Sequence, residues 1–305
     1  MIFRTYDQGG NLHVADLRGL YHGAKAAFLV GGAPSLREQP YRLLEQRGVL
    51  TFAMNNVGGL FRPTCMVASD EMACFDRRLL LDPTIQKFLW MAHSDKPFRM
   101  PDGSEGRLRD IPNAFLYDAV LRRRDSSLLS DTNYLDWKRN TFFLGISVMY
   151  HLGIRTIVLA GSDFGPDDRG RDYSAGSSLT SKEKAWNEIL YKYEAADMLR
   201  LKGVFDSYGL RILDSSAHSK LCPPAGPYER ISLEDGVSLC LEGFPAEHDK
   251  DPPHVSRLHD PRLADQVIAG RYNVVHESDT LYKKDIRCDM DLPDKQKAIP
   301  VAPIA

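Results

Sequence analysis

Apolar residues along this chain fall into short runs separated by polar stretches, and the alternation repeats from about residue 25 onward. KAAFLV (25–30), the polar LREQPYRLLEQRG (36–48) and VLTFAMN (49–55) together predict strand, helix and strand. RPTCMVAS (62–69) reads as a short buried strand, and DEMACFDRRLLL (70–81) as a helix whose acidic start suits its dipole. KFLWMAH (87–93) is a further strand, and the Pro- and Gly-containing stretch 94–113 is expected to be a long loop of the kind that often serves as a lid. NTFFLGISVMYHLG (140–153) is apolar on most faces, which predicts a buried helix closed by Gly153. IRTIVLAGSDFG (154–165) carries the near-continuous apolar run of a central parallel strand. The longest helix is expected at 181–209, with Trp186, Ile189, Leu190, Tyr193, Ala196 and Leu199 as its apolar face, before LRILDSS (210–216) returns to the sheet.

Repeated strand–helix alternation is most simply satisfied by an α/β, doubly wound, mostly parallel, Rossmann-like sheet over residues 25–222. Residues 1–24 form an N-terminal arm. Beyond Cys222 proline and turn residues take over, so 223–305 reads as an irregular C-terminal extension that covers the core or another subunit of a homo-oligomer. Its end, DLPDKQKAIPVAPIA, has the composition of a loose tail.

Composition narrows the classes. A chain of 305 residues with 43% hydrophobic and 26% charged content can bury a full core. A net charge of −2 offers no general electrostatic case for nucleic acid or an anionic membrane. Arg122, Arg123 and Arg124 form the one compact basic cluster, read as a solvated face. No apolar run reaches spanning length, and the first residues lack the apolar core of a signal peptide. Cys65, Cys74, Cys222, Cys240 and Cys288 are odd in number and scattered, which fits a reducing, cytoplasmic setting better than a zinc or redox motif.

Ligands of open parallel sheets bind beyond the carboxyl ends of the strands, so the residues there are the candidates for chemistry. FLVGGAPSLRE (28–38) ends a strand in Gly31 and Gly32 and restarts at Pro34 and Ser35, a junction whose unpaired N–H groups favour an anion such as a nucleotide phosphate. The same rim receives Asn55 and Asn56, then Ser69, Asp70 and Glu71, then His93, then Ser162 and Asp163, and finally Asp214, Ser215, Ser216 and His218. Plainer roles exist for each: Asn55 and Asn56 as turn formers, Asp70 and Glu71 as helix-start carboxylates, His93 and His218 as partly buried histidines. Asp163 stands out, because a carboxylate ending the most apolar strand needs a partner. Metal ligand, base and loop anchor are all open roles for it.

VGGAPSL, FAMNN, VASDE, the apolar helix running into HLGIRTIVLAGSDFG, and Tyr173 together resemble the bacterial sialyltransferase family that uses a CMP-activated sugar. They also resemble the related 6-hydroxymethylpterin diphosphokinase-like group, common in bacterial and phage genomes. The likeness runs from about Lys25 to Leu221, and LGIRTIVLAGSDF is its most specific piece. It implies a nucleotide-sugar-dependent glycosyltransferase acting on a hydroxyl acceptor. Gly31, Gly32 and Ser35 would hold phosphate or ribose, Asn55 and Ser69 would contact the nucleotide, Asn140 and Thr141 would match a Thr-Ser pair near it, and Tyr173 would bind the leaving phosphate. Three departures are visible: Gly32 replaces an asparagine, Gly165 replaces the first of two phosphate-binding tyrosines, and no histidine lies in 174–201 where the family's base is expected. His93, His218 or Asp163 would then deprotonate the acceptor. The pterin-kinase-like alternative is Mg²⁺-dependent diphosphate transfer, with Asp70, Asp163 and Asp167 or Asp168 as hard oxygen ligands. A noncatalytic nucleotide-binding or assembly protein is the third reading.

Overall fold

A computed structural model of the chain describes residues 3–242 apart from 8–9, 16, 47, 121–127, 131–134, 137–139, 167–169 and 171–179. Tyr173, Asp167, Asp168 and the Arg122–Arg124 cluster lie outside the described residues, as does everything beyond residue 242. The chain is α/β, with a large, mostly parallel central sheet and few helices. In chain order its strands are β1 (Phe3–Tyr6), β2 (Leu12–Ala15), β3 (Ala27–Val30), β4 (Thr51–Met54), β5 (Cys65–Ala68), β6 (Gln86–Trp90), β7 (Phe98–Arg99) and β8 (Glu105–Gly106). They continue with β9 (Ala114–Tyr117), β10 (Ala119–Val120), β11 (Leu135–Asp136), β12 (Thr156–Ala160), β13 (Arg211–Asp214) and β14 (Glu229–Arg230). The main sheet is ten-stranded in the order β14-β13-β12-β3-β4-β5-β6-β9-β1-β2. Every pairing from β14 to β9 is parallel, while β1 is antiparallel to both β9 and β2. The β7–β8 ribbon and the β10–β11 pair stand apart.

Two-residue alternation splits each central strand between the faces. Ala27 and Leu29 of β3 face a core shared with α2 (Thr141–His151) and the later turns of α3 (Ser181–Ser207). Phe28 and Val30 face the opposite core, with α4 (Leu233–Leu241) and the turn at Pro34–Glu38. A third apolar cluster lies under α1 (Arg77–Leu81) and the residues leading into β7 and β9. Each fully buried Leu or Phe stabilises by about 1.5–3 kcal/mol, so covering both faces is what makes such apolar strands tenable. Two glycines let the helices approach. A Cβ on Gly145 would lie 2.7 Å from Leu29, and one on Gly236 would lie 2.7 Å from the Phe28 ring.

Several elements differ from the sequence reading, each for a local reason. Residues 36–48 form two 3-10 turns, Pro34–Glu38 and Tyr41–Glu45, because Pro40 lacks an N–H and holds Gln39 extended at φ −110°, ψ 163°. The stretch 70–81 starts with a 3-10 turn at Met72–Cys74; the helix proper, α1, begins only after Asp76, whose side chain accepts from Arg78 N. Strand β6 stops at Trp90, and Met91–His93 is a turn. Helix α3 forms where expected but buries another face: Met198, Leu201 and Phe205 enter the core, while Trp186, Ile189 and Tyr193 are 40%, 46% and 58% exposed. The N-terminal arm contributes the β1–β2 hairpin to the sheet edge, and 223–242 adds β14 and α4.

On the amino-terminal rim, Lys87 is fully buried with Nζ donating to Pro112 O at 2.8 Å and to Asp82 O, and burial pulls its ammonium down to about 7. Among the described residues no helix is long and apolar enough to cross a membrane, and none of Cys65, Cys74, Cys222 and Cys240 is in a disulfide.

Candidate functional site

Strands β4, β5 and β6 end side by side, with Met54 opposite Val67 and Ala68 opposite Leu89, so the residues that follow them share the carboxyl-terminal rim. Ser69 leaves β5 there, and its Oγ lies 2.6 Å from Thr141 Oγ1 at the first turn of α2. Helix α2 starts at Thr141 because Asn140 caps it: extended at φ −148°, ψ 137°, it turns its Oδ1 onto Phe142 N. The other end of the Asn140 side chain donates to Glu194 Oε1 on α3. Burial pushes the Glu194 carboxyl up to about 7, opposed by the Asn140 bond and assisted by Asp197.

His93 joins this chain from the turn after β6. Its Nε2 is 3.0 Å from Ser69 O, and its ring meets the edge of Trp90 at 5.3 Å. A backbone carbonyl only accepts, so Nε2 carries the ring hydrogen and Nδ1 holds the lone pair in the neutral ring. Nδ1 is buried without a partner. Asn55, held at φ 52° after β4, has its Oδ1 buried without a partner as well. Tyr117 of β9 supports the rim from beneath, donating to Ala68 O at 2.8 Å; burial, with Asp70 nearby, raises its phenol well above the usual range. Asn56 serves the loop instead, donating to Cys74 O and accepting from Asp76 N.

The second cluster sits where the strand order reverses, between β3 and β12. Gly31 and Gly161 touch there: a Cβ on Gly31 would be 2.4 Å from Gly161 O, and Gly161 adopts φ 60°. Ser35 directs both its N–H and its hydroxyl at Asp163, at 3.2 Å to Oδ2 and 2.5 Å to Oδ1. The donors expected to await a phosphate at the glycine turn therefore already hold an anion supplied by the protein. Burial raises the Asp163 carboxyl, and the Ser35 bonds pull the other way. His218 lies nearby on the exposed side, with Nε2 2.7 Å from Glu38 Oε2. Beyond it Asp214 accepts from Ser216 N at 2.8 Å and from Ser219 Oγ, and burial pushes it up to about 6. Phe164, at φ 56°, packs edge-on against Phe142 at 5.2 Å and so links the two clusters.

The residues singled out from the sequence thus divide. Ser69, Asn140, Thr141 and His93 form one connected chain, with Asn55 one strand over. Ser35 and Asp163 form a closed pair, Gly31 contributes close backbone packing, and His218 pairs with Glu38. Among the described residues no group of three or more His, Cys, Asp or Glu side chains is gathered to hold a metal ion. Glu194 escaped the sequence reading, because nothing local separates it from the other acidic residues of a long helix. The chain matches no protein-family model, no curated protein and no solved structure.

Proposed function

We propose that this protein is a nucleotide-sugar-dependent glycosyltransferase on a Rossmann-like, doubly wound sheet, transferring a sugar to a hydroxyl acceptor. The observation that carries the reading is the meeting at one rim of His93, bonded to Ser69 O, of Ser69, bonded through its hydroxyl to Thr141, and of Asn140, which adjoins Thr141 as the cap of α2. Ser69, Asn140 and Thr141 are positions where the resemblance to sialyltransferases expects a nucleotide, and His93 brings an unpartnered basic nitrogen to them. In this scheme His93 Nδ1 takes the acceptor's hydroxyl proton as the oxygen attacks the anomeric carbon. The bond from that carbon to the phosphate oxygen breaks, and the nucleotide leaves with the electron pair. The imidazolium keeps its Nε2–H on Ser69 O, which supports the positive ring.

His218, engaged with Glu38, and Asp163, engaged through both oxygens with Ser35, are less suited to that base role. The Asp163 pairing also weakens the Mg²⁺-dependent diphosphotransfer alternative, since a metal would have to displace Ser35. The test is nucleotide release from CMP-, UDP- and GDP-sugars in the presence of a panel of hydroxyl acceptors. His93→Gln is expected to lower turnover by about 10²–10⁴-fold with nucleotide binding retained. No release from any donor, or full activity in H93Q, would refute the reading. Nucleotide binding without release would favour a noncatalytic binding protein.

A further inference from the structure

The ten-stranded sheet ends on one side in β14, two exposed residues long and charged at both, and on the other in β2, four residues with no lysine, acid or proline. Short charged edges resist further pairing, whereas an uncharged edge offers a row of backbone donors and acceptors. The hairpin register fixes which groups β2 offers. Asp7 N–H donates to Asn11 O at 3.0 Å, and the next pairs are Tyr6–Leu12, Thr5–His13, Arg4–Val14 and Phe3–Ala15. Bonded and non-bonded pairs alternate along an antiparallel ladder, so His13 and Ala15 bond to β1, while the N–H and C=O of Leu12 and Val14 point outward from the edge. Arg4 is consistent with this phase, since it pairs with Leu116 of β9 on the other side of β1. Among the described residues, β2 pairs with β1 alone. The Leu12 and Val14 side chains share one face of the strand and are 39% and 68% exposed.

We infer that β2 is the edge on which two copies of this chain join, β2 against β2, antiparallel about a two-fold axis at His13. There Leu12 lies opposite Val14 of the partner subunit and Val14 opposite Leu12 of the partner subunit, two hydrogen-bonded pairs that together make four backbone bonds. Moving the axis to Leu12 or to Val14 sets that residue against itself and leaves the other opposite a residue outside β2. The same register packs the two exposed apolar side chains of each copy against those of the other, on one face of the joined sheet. On the opposite face His13 meets His13 of the partner subunit, and each ring has a carboxylate of its own chain beside it, Nε2 lying 2.7 Å from Asp7 Oδ2. Backbone phase, apolar contact and charge are thus all satisfied by the strand's own copy, which is what an isologous interface requires. The axis stands perpendicular to the joined sheet, so the strands of the two copies run in opposite directions and their His93 rims open at opposite ends, each site complete in its own chain. The inference does not depend on the transferase reading.

Sedimentation equilibrium of the full chain from about 2 to about 500 μM tests this, with hydrogen–deuterium exchange read residue by residue at both ends of that range. The contact is smaller than the roughly 800 Å² per partner of a stable complex, so a monomer–dimer equilibrium with a Kd of about 10–100 μM is expected. The Leu12 and Val14 amides should exchange more slowly in the concentrated sample, while the His13 and Ala15 amides, bonded within the hairpin, should not change. Val14→Pro removes two of the four bonds between copies and none from the hairpin, and Val14→Lys keeps the bonds but puts a charge into the apolar contact. Each should raise Kd at least about tenfold, and Val14→Ile should leave it unchanged, with circular dichroism checking the fold of all three. A monomer throughout, a dimer that folded V14K leaves undiminished, or a dimer whose Leu12 and Val14 amides exchange as fast as in the dilute sample would each overturn the inference. Slow exchange of both amides at every concentration would also overturn it, and would place another part of this chain on the edge.

Discussion

Replacing Glu194 with glutamine should make the protein more stable at neutral pH, by an amount that grows with pH. Glu194 is partly buried on α3, tied to Asn140 and one turn from Asp197, and its carboxyl is raised from 4.5 to about 7 with burial as the main cause. The folded state therefore binds this proton more tightly than the unfolded chain. Stability from the protonated group is fully present below 4.5 and is lost as pH rises through about 7. At about 1.36 kcal/mol for each pH unit, the loss by pH 8 is about 3 kcal/mol. Glutamine keeps the oxygen that accepts from Asn140 and has no charge to desolvate. E194Q and the natural protein should then have equal stability near pH 4 and differ by about 3 kcal/mol at pH 8, roughly 6 °C in melting temperature. Urea unfolding across pH 4–8.5 measures the difference directly. Lys87, pulled down to about 7 by burial, titrates in both proteins and cancels from the comparison. Curves that run parallel over the whole range, or a less stable E194Q at pH 8, would refute the account of Glu194 as a carboxylate buried with too few donors.

Asp163→Ala orphans the Ser35 N–H and hydroxyl and should cost about 2–3 kcal/mol in denaturant unfolding, whereas Asp163→Asn keeps one oxygen to accept from Ser35 N–H and can donate its Nδ2 to Ser35 Oγ, so it should lose no more than about 1 kcal/mol; equal losses in the two would count against the Ser35 pairing. Gly31→Ala would drive a Cβ into Gly161 O at 2.4 Å, a backbone atom with no rotamer to yield, so a loss of about 2–4 kcal/mol is expected by the same measurement. On α3, Phe205→Ala should cost about 3–5 kcal/mol and Trp186→Ala less than about 1, an order that the apolar face expected from the sequence would invert.

How far the sequence reached into the fold is clearest where its signal was longest. The strands β3 and β12 are buried throughout or nearly so, and their apolar runs need no knowledge of neighbours to be recognised. The segment 36–48 has helical spacing, yet Pro40 overrides it, and the proline was visible. Helix α4 also left a local trace: Ser232 accepts from Asp235 N, and Leu233, Val237 and Cys240 recur on one face. A proline-rich context hid it. The strands of the β1–β2 hairpin are only four residues each, too short for alternation to decide. Helix α3 failed in a different way. Two apolar stripes coexist on it, and periodicity cannot say which one meets the sheet, because that depends on where the helix enters relative to Tyr228, whose hydroxyl donates to Met198 O.

The site divides along the same line between local and nonlocal information. Strand ends can be read from sequence, and in a parallel sheet they all reach one rim, so Asn55, Ser69, His93 and Asp163 could be placed there without coordinates. Their partners could not, since Ser35 and Asp163 are 128 residues apart and Ser69 and Thr141 are 72 apart. Those partners decide the chemistry. A serine that donates twice to Asp163 turns an apparent phosphate cradle into a closed joint, and a carbonyl beneath His93 turns an ordinary histidine into one whose basic nitrogen is free. Which residues reach the rim follows from chain order; which remain open to a ligand follows from subtraction, after every neighbour has taken its bond. Glu194 is the extreme case, because it reaches the rim from a helix rather than a strand end and is placed there by Asn140, 54 residues away.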